Sequence, residues 1–220
     1  MRCAWSSSGG KDSLLALWHA RQSGQVVDLM ITMFDETGMR SRSHGISPEL
    51  MRAQADALQM ELSTPHASWD SYEVEFIGAL KRARATGREA VVFGDIDLQA
   101  HRDWEEKVCA QAGLTPLLPL WQRERADLAA EVWRLGFKSV VVCVDHRYLG
   151  AEFCGREYDE AFVKSLPHGV DACGENGEFH TFVYDGPLFS ERVPVKVEGV
   201  TAYEAPKEFG GARFSFASLV

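Results

Sequence analysis

No two of the five cysteines (Cys3, Cys109, Cys143, Cys154, Cys173) stand in a C-x-x-C pair. Zinc and iron–sulfur sites built on that spacing are therefore disfavoured. Basic charge is also scarce: 23 Lys and Arg stand against 32 Asp and Glu, a formal net charge of −9. A broad nucleic-acid surface wants a basic stripe, so no nucleic-acid partner is expected. No apolar run reaches membrane-spanning length, so no membrane partner is expected either. The amino end lacks a charged stretch leading into a long apolar one. No signal peptide is expected, and the chain reads as a cytoplasmic protein. The apolar fraction, 45% of 220 residues, is ordinary for a globular chain. It suffices for one α/β domain with a small appendage.

What is present is concentrated near the start. A short apolar strand, Arg2 to Ser6, runs into Ser8-Gly9-Gly10-Lys11-Asp12-Ser13, and the apolar helix start Leu14-Leu15-Ala16-Leu17 follows directly. Such a turn aims backbone N–H groups outward, with the positive end of a helix dipole behind them, which favours an anion. Gly9 and Gly10 let the backbone approach a phosphate closely. Ser8 and Ser13 add hydroxyls, and Lys11 adds a point charge. Asp12 is out of place in a loop built only for anions, and makes sense if a metal ion accompanies the phosphates. The loop is not a Walker A motif, because Trp5 stands where that motif needs glycine.

Strand and helix signals then alternate. Continuous apolar runs at 26–34, 90–93 and 139–144 predict buried strands, and helices are expected near 47–60, 70–85 and 124–135, with another after Ile96 through Trp104 and Val108. Ser47-Pro48-Glu49 is a helix start with cap, proline and acid in order. Repeated βα units predict a doubly wound parallel sheet, whose ligands bind beyond the strands' carboxyl ends. That rule brings residues 6–13, Phe34-Asp35-Glu36, Gly94-Asp95 and Asp145-His146 to one edge. After Tyr148 the texture changes, and apolar segments at 179–184 and 193–200 predict antiparallel strands in a smaller α+β lobe. The expected division is 1–147 for the nucleotide domain and 148–220 for the lobe, with a cleft between them.

Residues 173–183 form a second dense cluster, with Glu175, Asn176, Gly177, Glu178, His180 and Thr181 close together. A strand beginning near Glu178 puts Glu178 and His180 on one face and Phe179 and Thr181 on the other. Such a pair holds an amine, a metal or a transferable proton. On residue types alone, a polar turn feeding a hairpin is the competing reading.

All six positions of the first motif match the PP-loop of ATP pyrophosphatases, which split ATP between its α- and β-phosphates. Together with the second cluster, the chain resembles the diphthine–ammonia ligase family, a branch of those enzymes. The likeness extends over His44-Gly45, Gly94-Asp95-Ile96, Pro119-Leu120-Trp121, the Gly-Glu-x-Gly-Glu loop from Gly174 to Glu178, and Pro187-Leu188-Phe189. It implies an adenine nucleotide α-hydrolase-like α/β fold and an enzyme that adenylates a carboxylate, releases pyrophosphate and lets ammonia form an amide. ATP and Mg²⁺ are the implied cofactors, with a small-molecule or protein-borne carboxylate and ammonia as partners. A homodimer is compatible with this picture.

By the same resemblance, Lys11, Asp12, Glu175, Glu178 and His180 are the catalytic candidates. Ser6, Ser8, Gly9, Gly10, Lys11, Asp12, Ser13, Phe34, Gly94 and Asp95 hold the nucleotide, with Asp12 on the metal. His44, Gly45, Asn176, Gly177 and Thr181 face the substrate. One departure stands out. Asn176 and His180 replace a Gly and a Glu of the usual Glu-Gly-Gly-Glu-x-Glu-Thr/Ser loop, a form similar to a bacterial branch linked to cobalamin-related amide chemistry. A PP-loop tRNA-modifying enzyme and a non-catalytic ATP-binding regulator are the competing functions.

Overall fold

The computed structural model describes residues 1–42, 44–204 and 211–220. Its first layer is a parallel sheet of β1 (Arg2–Ser6), β2 (Val26–Ile31), β3 (Glu61–Ser63), β4 (Ala90–Val92) and β5 (Thr115–Leu117), in the order β3-β2-β1-β4-β5. The sheet is flanked by α1 (Lys11–Gln22), α2 (Pro48–Ala57), α3 (Tyr72–Ala85), α4 (Gln99–Ala112) and α5 (Arg125–Arg134). β1, β2 and β4 are apolar and largely buried, as expected of strands covered on both faces. The sequence pattern missed β3 and β5. Both are three-residue edge strands, and Pro116 within β5 is tolerated there because an edge strand need not donate on both sides. Ser47 caps α2 as expected, its hydroxyl accepting from the Leu50 amide.

The strand expected at 139–144 as the last of the parallel set belongs elsewhere. β6 (Lys138–Asp145) pairs antiparallel with β7 (Phe179–Asp185) and with β9 (Arg213–Leu219). A second sheet results, in the order β7-β6-β9-β8, with β8 (Val197–Glu204) at its edge. An apolar run fixes burial but not partners, and the partners of β6 lie far downstream. β7 and β8 were expected as antiparallel strands, but β6 and β9 lie between them. The short helix α6 (Glu160–Ser165) is capped by Asp159, whose carboxylate accepts from the Phe162 amide.

One apolar core joins both sheets: Trp5, Leu14, Leu17, Met51, Phe137, Val142, Phe162, Phe179 and Phe182 are all buried within it. The smaller sheet therefore sits directly against α1 and α2, and β7 reaches the amino end of α1. Among the described residues no helix is long and apolar enough to cross a membrane.

Candidate active site

A cleft of about 390 Å³ opens where the loop before α1, the turn after β4 and the loop before β7 converge. Ser6, Ser8, Lys11, Asp12, Ser13, Gly94, Asp95, Glu175, Gly177, His180, Thr181 and His44 all line it. The two motifs, more than 160 residues apart, thus face each other.

The loop is shaped by its own side chains. Gly9 has φ +80°, which only glycine takes without strain, and its N–H donates to Ser7 Oγ. Gly10 caps α1 and donates to Ser8 Oγ. Neither glycine faces the cleft; they let the chain turn so that its neighbours do. Gly94 is needed for contact: a Cβ there would come within 2.9 Å of the backbone N and Cα of Ser13.

Strand β7 is stitched to this loop. The Lys11 amide donates to Thr181 Oγ1 at 3.1 Å, and the Val183 amide donates to the Gly9 carbonyl at 2.9 Å. Gln54 of α2, fully buried, donates from Nε2 to the carbonyls of both Gly9 and Val183. Sequence reasoning missed Gln54 because a lone glutamine on a helix carries no pattern. Thr181, assigned to the substrate, serves as the cap on α1 that Gly10 has no side chain to supply.

The charged groups divide into locked and exposed. Lys11 is 3% exposed. Its ammonium donates to Asp12 Oδ2 at 2.6 Å and to the Cys173 carbonyl, and lies over the rings of Tyr158 and Phe179. Burial disfavours its charge, yet Asp12 prevails, and the pKa sits above the ordinary lysine value. Burial pushes Asp12 up despite Lys11. Asp12 Oδ1 is buried and has no hydrogen-bond partner among the described residues. An orphaned carboxylate oxygen beside a phosphate-binding loop fits a bound cation. Among the described residues no group of three or more His, Cys, Asp or Glu is assembled to hold a metal. Mg²⁺ taken up through one carboxylate, phosphates and water needs no such group.

Glu175 lines the cleft, and burial together with the Asp12 charge raises its pKa. His180 also lines it, stacked on His44 with ring centroids 4.6 Å apart. His44 Nδ1 lies 2.7 Å from the Thr181 carbonyl and donates to it. Burial depresses His180 to about 4, aided by the Lys11 charge. Burial and the neighbouring His180 push His44 well below the ordinary histidine value. Both rings are therefore neutral near pH 7.

Other expected residues lie off the cleft. Glu178 does not share a cleft face with His180, because β7 begins one residue later, at Phe179. It is 1% exposed, and its carboxylate accepts from the amides of Asp171 and Asn176 and from Asn176 Nδ2. Glu178 and Asn176 thus tie the loop to itself. Arg125 anchors the same loop from α5, bonding Asp171 and Asp97 at 2.6 Å each. Phe34, expected on the nucleotide, is buried in the core because β2 stops at Ile31. Asp35 and Gly45 line a separate cavity of about 350 Å³ that meets the cleft at His180. Asp145 and His146 follow β6 into the second sheet, where Asp145 pairs with Arg147 and His146 with Ser215. Cys173 and His101, which line the cleft, were not anticipated.

Fold and cleft are those of an α/β enzyme, with a glycine-containing turn at the amino end of α1 and acidic groups beside it. The chain belongs to the diphthamide synthase family: the N-terminal domain model matches residues 1–116 and the C-terminal domain model residues 124–212. It is similar to the diphthine–ammonia ligase of Mus musculus, 28% identical over 222 residues that cover 89% of this chain and 83% of the relative. The Rattus norvegicus ligase is 26% identical, covering 93% and 86%. The Bos taurus ligase is 32% identical over a shorter stretch, 53% and 46%. A solved Methanocaldococcus jannaschii structure, described as a predicted subunit of tRNA methyltransferase, covers 88% of this chain and 100% of its own. Its TM-score of 0.47 at 14% identity is too low to bear on the argument. The chain is accordingly an ATP-dependent ligase of the amide-forming kind.

Proposed function

We propose that the chain joins ammonia to a carboxylate of diphthine type by way of an acyl-adenylate. The carrying observation is the cleft itself: the phosphate loop with its orphaned Asp12 oxygen on one wall, Glu175 and His180 on another. In the first step a substrate carboxylate oxygen attacks the α-phosphorus, and pyrophosphate leaves. In the second, ammonia attacks the carboxyl carbon, and AMP leaves with the electron pair of the broken C–O bond. A carboxylate cannot expel hydroxide at neutral pH, whereas AMP is a good leaving group.

Ser8, Ser13 and the amino end of α1 hold the phosphates, with Ser6 and Gly94 shaping the wall behind them. Lys11 sets the positive charge of the loop and fixes Asp12. Asp12 would hold Mg²⁺, which would supply positive charge toward the departing pyrophosphate. Glu175, its pKa raised to about 8, offers a carboxyl on the cleft wall that exchanges a proton near neutral pH. His180 and His44 present a neutral, flat surface to the acceptor. Five buried thiols with no disulfide fit a reducing compartment, the cytoplasm.

His180 favours a second reading of the substrate. A neutral imidazole in place of the family's glutamate removes a negative charge that a trimethylammonium group would prefer. A cobalamin-related carboxylate fits that change better. Incubation with Mg-ATP, ammonium and a diphthine-bearing peptide tests the proposal. AMP, pyrophosphate and the amidated peptide are expected. ADP as product, or no turnover with either this peptide or a cobalamin-precursor acid, refutes the ligase step.

A further inference from the structure

Asp95, just past the carboxyl end of β4, is gripped by two side chains of α4. His101 Nδ1 lies 2.7 Å from Asp95 Oδ1. Glu105, one helical turn on, is 3% exposed, and its carboxyl is coupled to the same carboxylate, with Oε2 buried and without a hydrogen-bond partner among the described residues. Residues i and i+4 share a helix face, which is why both reach Asp95. Two carboxyl groups in contact cannot both ionise readily. Burial and the neighbouring Asp95 raise Glu105 far above the ordinary glutamate value. Burial works against the Asp95 charge, but the bond from His101 and the neighbouring Glu105 prevail and lower its pKa. Glu105 is therefore the proton donor and Asp95 the anion.

This arrangement fixes the imidazole. With Nδ1–H donating to Asp95, the neutral ring carries its lone pair on Nε2. His101 lines the cleft, yet its side chain is 59% exposed, so it touches both the cleft and bulk water. His44 and His180 lack that combination: both are neutral and packed against each other. The titratable groups around His101 are Asp95 from the end of β4 and Glu175, itself raised to about 8, from the loop before β7, with neutral Glu105 behind Asp95. Arg102, next in the helix, is turned to Glu106.

We propose that His101 is the general base of the amide-forming step, with Asp95 and Glu105 as its positioning residues. This inference rests on the ligase reading. The nitrogen lone pair forms the C–N bond to the activated carboxyl carbon. The C–O bond to AMP breaks, and its electron pair stays on the phosphate oxygen. One N–H bond of the attacking nitrogen breaks, and its proton passes to His101 Nε2 and on to water. Ammonia and the adenylate supply everything the step consumes. The bond to Asp95, helped by the Glu175 charge and opposed by burial, raises the His101 pKa, which brings a base toward working pH.

The test separates the two half-reactions, with a diphthine-bearing peptide as acceptor. In His101→Ala, carboxylate-dependent ATP–pyrophosphate exchange should stay within a factor of a few of the parent. Amide formation from ammonia should fall by about 10²-fold or more. Glu105→Leu should lower amide formation, and Glu105→Gln, which keeps a donor toward Asp95, should restore it. Substrate-free NMR titration gives a second readout: the His101 ring should titrate above an ordinary histidine, and Asp95→Asn should bring it down.

Amide formation unchanged in His101→Ala, or exchange and amide formation lost together, overturns the base while leaving the ligase intact. A His101 ring that titrates like a free histidine in both parent and Asp95→Asn also overturns it. Absence of exchange in the parent with both this peptide and a cobalamin-precursor acid overturns the ligase reading and the role of His101 with it.

Discussion

Asp12 and Gly94 bear on the phosphate site in opposite ways, one by charge and one by the lack of a side chain. Asp12→Asn keeps the size of the side chain but weakens the hold on a divalent cation. The Mg²⁺ concentration for half-maximal pyrophosphate release should rise, while ATP binding without metal should persist; equilibrium binding against turnover separates the two. Gly94→Ala places a methyl group against the backbone of Ser13. Backbone cannot swing aside as a side chain would, so the start of α1 must shift. ATP affinity should fall together with melting temperature, measurable by calorimetry. The Ser-Gly-Gly-Lys-Asp-Ser run was legible as a phosphate loop because local backbone demands and local charge lie within six positions. The burial of Lys11 was not, since Cys173, Tyr158 and Phe179 reach it from far along the chain.

Among elements, the seam between β7 and the loop before α1 decides whether the cleft exists. Gln54 bridges two carbonyls across that seam. Gln54→Leu leaves the Val183 carbonyl short of its donor in a buried setting, at a cost of about 1–3 kcal/mol. Urea unfolding should show a lower midpoint with an unchanged slope. Thr181→Val removes the acceptor for the Lys11 amide. About 1 kcal/mol of stability should be lost, within the range seen for helix caps. Helices α2 to α5 were readable from apolar spacing and caps. β3, β5 and β9 were not: the first two are too short to show a period, and β9 is held in place by its partners.

For the whole molecule, stability against pH should carry opposing slopes from two sources. Glu105 is held neutral in the fold, whereas in the unfolded chain it ionises above 4.5. Below that value both states are protonated and nothing is lost. As pH rises past it, the unfolded state sheds its proton first, and stability falls until the folded group also ionises. Glu105→Gln should flatten this decline, raising the melting temperature at pH 8 more than at pH 5. His180 acts on the acid side. Its folded pKa of about 4 lies below the ordinary 6.5, so stability is full above 6.5 and falls as pH drops toward 4. His180→Gln should reduce that acid loss, read from melts at pH 4.5 and 7.

The sequence alone determined the phosphate loop, the alternation of strands and helices and the burial of the central strands. Each follows from residues near one another, through backbone freedom, capping and apolar period. Only the tertiary structure decided that β6 leaves the parallel sheet, that Glu178 braces its loop while Glu175 faces the cleft, and that His101 stands beside Asp95. Those outcomes depend on which distant segments share a core, and pairing across a core is a competition among all surfaces the chain can bury at once.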